Sequence, residues 1–375
     1  MAVLTEEQTM LRDAARSWAQ ESAPVSALRK LRNEGSKASF DPAAWGEMGQ
    51  MGWAGVVVPE AHEGSGFGYL GLGLILEETG KTLAASPLLS TALIAASALE
   101  LGGSDAQKAA WLPKIAAGEI VASLAVDEHA HHNPTRIDLG YKEFGGYVLN
   151  GTKTFVLDGE AADLLIVAAR AEGTSGTDGI TLFLVPGDAK GVTRSHLSLA
   201  DSRGAAKITF DNVEVGADAV LGQEGHGWAV LEPVLDRAYA GLAAEMLGTA
   251  TAAFEITLDY LKTRTQFGQV IGTFQALQHR AAKWFTDLET TRSCVEAALE
   301  AFDAGADSRA LASLAKAKAS EVLHLASNEM VQMHGGIGMT DEHDAGLYMK
   351  RARVAEALFG GASFHRDRYA RLMGF

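Results

Sequence analysis

Only one cysteine, Cys294, occurs in the chain, so no internal disulfide can form and the composition suits a reducing cytoplasm. Proline is scarce and stops early. None follows Pro233, which removes the commonest helix breaker from the C-terminal part. There is no lysine- or arginine-rich run, and 47 acidic against 32 basic residues give a net charge of −15. A nucleic-acid surface built on a basic stripe is thereby excluded; an anionic ligand held by a few local groups is not. No apolar stretch reaches membrane-spanning length. The first residues, Met1-Ala-Val-Leu-Thr, lack the charged-then-apolar pattern of an export signal. A soluble cytoplasmic protein, with neither nucleic acid nor membrane as partner, is expected. Metal-binding spacings such as CxxC or HExxH are missing too. His129, His131 and His132 cluster with Asp127 and Glu128, but alternation at a strand end would split them between two faces, so no metal is expected.

What is present divides the chain into three blocks. At 375 residues and 47% hydrophobic, more than one core can be buried. From Thr5 to about Gly118 apolar residues recur at helical spacing, and Thr5 with Gln8 reads as a capping box opening the first helix. Between Val121 and about Leu221 the pattern turns to short alternating runs, such as Leu164-Leu-Ile-Val and Ile180-Thr-Leu-Phe-Leu-Val, punctuated by turn clusters. An antiparallel β domain follows from that pattern. After Pro233 alanine, leucine and charged residues dominate, as in long packed helices, a four-helix bundle with a C-terminal extension. The boundaries expected are 1–120, 121–222 and 223–375.

The most specific signals are two short runs in the last block. Arg264-Thr265-Gln266-Phe267-Gly268 continues through Ile271 to Phe274-Gln275, and Gln332-Met333-His334-Gly335-Gly336 follows a long helical stretch. A guanidinium matches a pyrophosphate in a bidentate way, an aromatic can lie against a ring system, and paired glycines let backbone N–H groups approach a ligand. Together the runs resemble the flavin-binding signatures of the acyl-CoA dehydrogenase family. Other stretches extend the resemblance over essentially the whole chain: Met48 to Trp53, Val56 to Glu60, Gly64 to Gly68, Glu77 to Gly80, Phe210 to Val215 and Gly225 to Trp228. Gly66-Phe-Gly68-Tyr-Leu-Gly71 also satisfies the dinucleotide pattern G-x-G-x-x-G. No strand precedes it directly, so a glycine-rich connector is expected there.

The resemblance implies FAD as cofactor, an acyl-CoA thioester as substrate and a helix–β–helix fold. It also implies an electron-transfer flavoprotein-like acceptor and an assembly, often tetrameric, of subunits of the same fold. In the family a carboxylate takes the α-proton while the β-hydride passes to the flavin. The usual glutamate lies in a Y-E-G-T run, whose counterpart here is Leu358-Phe359-Gly360-Gly361. Phe359 or Gly360 stands at its position, and neither accepts a proton. A second family position for the base, on the first long helix of the bundle, falls on Ala238 with Tyr239 beside it. The remaining candidate is Glu245, on the face of Ala238 but about 10 Å further along the helix. It either reaches a cavity as a relocated base or pairs with an arginine or backbone group.

The middle block departs as well. The family's T-E-P-x-x-G-S run, whose threonine and serine bond the flavin, is matched by Asp127-Glu128-His129-Ala130-His131-His132-Asn133. Its W-I-T run corresponds to Phe155-Val156-Leu157: Phe155 keeps an aromatic against the flavin, but Leu157 has no hydroxyl. What is kept, namely Arg264, Gln266, Phe267, Gln332, Gly335 and Gly336, is by this resemblance the part given to a neighbour's flavin. What is changed serves the chain's own site. The expectation is therefore an oxidoreductase-family subunit working beside a catalytically complete partner, in fatty acid or steroid side-chain catabolism. An active homotetramer using Glu245, or a non-enzymatic flavin-binding scaffold, are the alternatives.

Overall fold

The computed structural model describes residues 4–35 and 39–375. In chain order the helices are α1 (Glu6–Glu21), α2 (Val25–Glu34), α3 (Pro42–Gln50), α4 (Tyr69–Lys81), α5 (Ala96–Gly102) and α6 (Asp105–Ala116). Strands follow: β1 (Ala122–Ala125), β2 (Gly140–Glu143), β3 (Tyr147–Leu157), β4 (Leu164–Ala171), β5 (Ile180–Pro186), β6 (Val192–His196), β7 (Ala205–Val215) and β8 (Val220–Leu221). Then come α7 (Trp228–Thr263), a small hairpin of β9 (Thr265–Gln266) and β10 (Gln269–Val270), α8 (Gln275–Asp303), α9 (Arg309–His334), α10 (Ala345–Ala357) and α11 (Ala362–Leu372). No helix is long and apolar enough to cross a membrane among the described residues. These elements form two compact units, Lys30–Gly68 with Ala85–Ala238, and Met1–Arg29 with Tyr69–Ala84 and Tyr239–Phe375.

The first unit holds the sheet, in the order β6-β7-β3-β2-β4-β5-β8 with β1 on β4. It is not purely antiparallel as the sequence pattern suggests: β1 and β2 both run parallel to β4. Runs of apolar residues become central strands, as expected for strands covered on both faces. Leu164 to Ala169 on β4 and Ile180 to Val185 on β5 are buried throughout, in register with Val167 opposite Phe183. The long β3–β7 ladder shifts register between Leu149 and Gly151 and again between Lys153 and Val156. Phe155 lies in the second irregularity with φ +52, a left-handed conformation that a bulge imposes on a bulky residue.

The second unit is helical. Thr5 caps α1, its hydroxyl accepting from Gln8 N–H at 3.2 Å while the Gln8 side chain accepts from Thr5 N–H at 3.0 Å. A distant Asp303 carboxylate accepts the N–H groups of Tyr69 and Leu70, at 2.6 and 3.0 Å, satisfying donors that the start of α4 leaves open. Two glycines set how closely α4 and α7 approach. A Cβ on Gly248 would lie 1.9 Å from the Glu77 carbonyl oxygen, and one on Gly80 2.3 Å from that of Glu245. Gly66 and Gly68, at φ +57 and +99, belong to the connector before α4; a short 3-10 turn, Glu60–His62, precedes them.

Candidate functional site

At the end of α7 the chain turns sharply. Arg264 N–H still bonds the Tyr260 carbonyl at 2.9 Å, and Ile271 N–H returns to the Arg264 carbonyl at 2.8 Å. Between them Phe267 and Gly268 form the hairpin tip, at φ +52 and +78. Apolar residues anchor the turn: Leu261, Ile271 and Met333 form a buried cluster against which Tyr260, Phe274 and Leu277 pack. Met333 belongs to the second run, so one small core brings both runs together. Tyr260 adds to this, its ring 4.4 Å from that of His334 and its hydroxyl donating to the His334 carbonyl at 3.4 Å. Burial pushes the His334 imidazole below its ordinary pKa, and its Nδ1 donates to the Met330 carbonyl at 2.7 Å.

On this platform the polar groups face out. Arg264, Gln266, Gln332, Gly335 and Gly336 are exposed, and Phe267 is 92% exposed with its ring edge-on to Phe274 at 6.2 Å. The Arg264 guanidinium has no ion pair among the described residues, so its charge is available to an anion. Nothing lies within 4 Å of where a Cβ would stand on Gly268, Gly335 or Gly336. Open backbone beside an available guanidinium fits the pyrophosphate and adenine end of a dinucleotide.

The ring end does not fit as well. Phe155 is 40% exposed, but Leu157 is buried and has no hydroxyl. Residues 126–139 after β1 form an irregular loop, not the alternating strand expected from the histidines. Within it the Asp127 carboxylate accepts from His132 Nδ1 and from Asn133 N–H. Glu128, His129 and Asp138 bring ligand atoms within 4.8 Å of one another. The Glu128 carboxylate is already bonded by buried Lys153 at 2.6 Å and by the N–H groups of Asp138 and Leu139.

The positions at which the resemblance places a base hold other groups. Phe359 and Gly360 lie in a left-handed turn at φ +55 and +92. Lys316, fully buried on α9, donates its ammonium to the carbonyls of Ala355 and Gly360, at 3.1 and 3.0 Å. Burial pushes its pKa down to about 7. His365 Nε2 donates to the Phe359 carbonyl at 2.9 Å, and its ring packs edge-on against Tyr239 at 4.6 Å. A Cβ on Gly360 would come within 2.6 Å of the Phe364 ring. Ala238 and Tyr239 are buried. Glu245 is 7% exposed, with Oε1 3.2 Å from Arg351 Nη1; Arg351 also donates to the Leu83 carbonyl at 3.4 Å.

Lys316, His365 and Arg351 escape motif reading. Lys316 does leave a trace, because Ala312 and Ser320 put it on the buried face of α9, where a lone ammonium is unusual. Arg351 leaves none that identifies Glu245, 106 residues away, as its partner.

Comparison with known proteins agrees along the chain. Models for the acyl-CoA dehydrogenase N-terminal, middle and C-terminal domains match residues 5–119, 130–213 and 225–374. The chain is 30% identical to the mitochondrial short/branched chain specific acyl-CoA dehydrogenase of Bos taurus, over 99% of this chain and 86% of that one. Among solved structures, a variant of a steroid ACAD is 32% identical with a TM-score of 0.89, each chain covered to 98%. The ChsE4-ChsE5 complex from Mycobacterium tuberculosis is 26% identical with a TM-score of 0.90, both chains covered fully. Three consecutive domain matches, sequence identity over almost the full length and a shared fold have one reading: the chain belongs to the acyl-CoA dehydrogenase family.

Proposed function

We propose that this chain is the partner subunit of a heteromeric FAD-dependent acyl-CoA dehydrogenase, with no general base of its own. The observation that carries this reading is the buried Glu245–Arg351 ion pair. Glu245 is the carboxylate on the helix face of the usual base, and a guanidinium at 3.2 Å already engages it. A general base needs to come within about 3 Å of its proton. Phe359, Gly360 and Ala238 offer no carboxylate at the two family positions. Arg264, with Gln266, Phe267, Gln332, Gly335 and Gly336, serves the pyrophosphate and adenine end of FAD held at a neighbour of the same fold. FAD would supply hydride acceptance at that neighbour; this chain's residues bind and orient its far end.

The similarity to a steroid ACAD and to a two-component complex supports a bulky acyl-CoA as substrate and an unlike partner in a tetramer. A flavoprotein electron acceptor, a cytoplasmic location and the division at 120/121 and 222/223 belong to the same reading. Dye-linked oxidation of acyl-CoAs tests it. The isolated chain is expected to be inactive and a co-expressed same-fold partner to restore turnover. Robust turnover by the isolated chain, abolished by Glu245→Gln with the fold intact, would make Glu245 the base of a homomeric enzyme.

A further inference from the structure

The loop after β1 closes on itself through two side chains. Both Asp127 carboxylate oxygens lie within hydrogen-bond reach of His132 Nδ1, at 3.0 and 2.8 Å. The Asp127 side chain is 12% exposed and that of His132 1%, so the pair is largely withdrawn from water. Asn133 N–H donates to the same carboxylate at 3.3 Å. The Asn133 side-chain oxygen accepts from the Thr135 hydroxyl at 3.0 Å, within the loop. Thr154 N–H donates to the Asp127 carbonyl at 2.7 Å, which fixes the pair next to Phe155 and its left-handed backbone.

Four positions of the T-E-P-x-x-G-S run are changed, His129 standing for the proline, and three of the changes meet in this loop. Asp127 stands for the threonine, His132 for the glycine and Asn133 for the serine. Each change is unfavourable by itself. A lone carboxylate, so far withdrawn from water, loses hydration without a partner. An imidazole at a glycine position fills space that close backbone approach to a ligand would use. Paired, the two satisfy each other.

We infer that Asp127 and His132 form a lock that seals the ring end of this chain's own middle-domain site against an isoalloxazine. The lock rests on the reading of the chain as a partner subunit and says how its half-site is kept flavin-free. By the resemblance, the residues at the positions that would meet a flavin bond one another instead, and an imidazole replaces the glycine that would leave the backbone open.

The test is FAD titration of the purified full chain, followed by flavin fluorescence, for the unaltered protein and for variants. Asp127→Thr/His132→Gly/Asn133→Ser is expected to bind FAD at least about tenfold more tightly than the unaltered chain. Should that variant fold poorly, Asp127→Thr/His132→Gly serves in its place. Each single substitution should give little gain, and the double more than the product of the two, because the pair acts as a unit. A folded double or triple variant with no gain, or singles whose gains simply multiply, would overturn the lock. Tight FAD binding, one per chain, by the unaltered protein would instead sink the partner-subunit reading itself, so the two failures are told apart.

Discussion

Glu245 on α7 and Arg351 on α10 form a buried ion pair at 3.2 Å, with Arg351 only 1% exposed. The pair ties two helices of the bundle together and engages the carboxylate that a relocated base would need. Removing one partner strands the other charge in a low-dielectric interior. Glu245→Ala should therefore cost about 3–5 kcal/mol of stability, read from denaturant unfolding. Glu245→Gln keeps a hydrogen-bond acceptor and should cost less. A stability unchanged by Glu245→Ala would mean that the pair holds nothing.

Lys316 gives the bundle a pH signature. Its folded pKa is lowered to about 7 against about 10.4 for an unperturbed lysine. Between those values the unfolded chain binds the proton and the folded one does not, so stability rises with pH across that window. The slope from this one group is at most about 1.4 kcal/mol per pH unit. Comparing Lys316→Met with the unaltered protein from about pH 7 to 10 should show that increment lost in the variant. Equal slopes would show that Lys316 keeps its proton in the fold.

Gly248 allows α7 to lie against α4, with a hypothetical Cβ only 1.9 Å from the Glu77 carbonyl oxygen. The obstacle is backbone, so it cannot step aside as a side-chain tip could. Gly248→Ala should lower stability by about 1–3 kcal/mol, despite alanine's better helix propensity. Thermal melting checks this, and a raised midpoint would contradict the close packing.

Arg264→Ala addresses the adenine end. A charge-assisted guanidinium–phosphate pair contributes roughly 1.5–3 kcal/mol, so the assembled complex should hold its flavin about tenfold to a hundredfold less tightly. Flavin content per complex after dialysis is the measurement. Undiminished flavin would reduce the run from Arg264 to Gly268 to a helix-ending turn.

Local features were legible in the sequence where the physics is local. The capping box of Thr5 and Gln8 needs only its own four residues, and the turn clusters around β4 and β5 mark them as strands, though alternation does not show that both faces are buried. Parallel pairing of β1 and β2 with β4 was not legible, because alternation gives a strand's faces and not its neighbours. The same limit hid the side-chain pairings. Glu245 could be placed on an inward helix face, but nothing local names Arg351. Asp127 and His132 sit five residues apart in one loop and looked like groups on opposite faces of a strand end. Only the irregular backbone of that loop brings His132 back onto the carboxylate. Arg264, Phe267 and the glycine pair were readable as a motif. The Leu261–Ile271–Met333 core that joins their two runs depends on how α7, α8 and α9 pack.

Counting flavins against subunits by native mass spectrometry tests the central claim most directly. Purified alone, the chain should carry little or no FAD. Co-expressed with a same-fold partner, it should give an assembly with about one FAD per unlike pair, as the proposed reading requires: this chain offers Arg264 to the adenine end and, at Leu157, no hydroxyl to the ring. An isolated chain that assembles with itself and retains one tightly bound FAD per subunit would contradict the account.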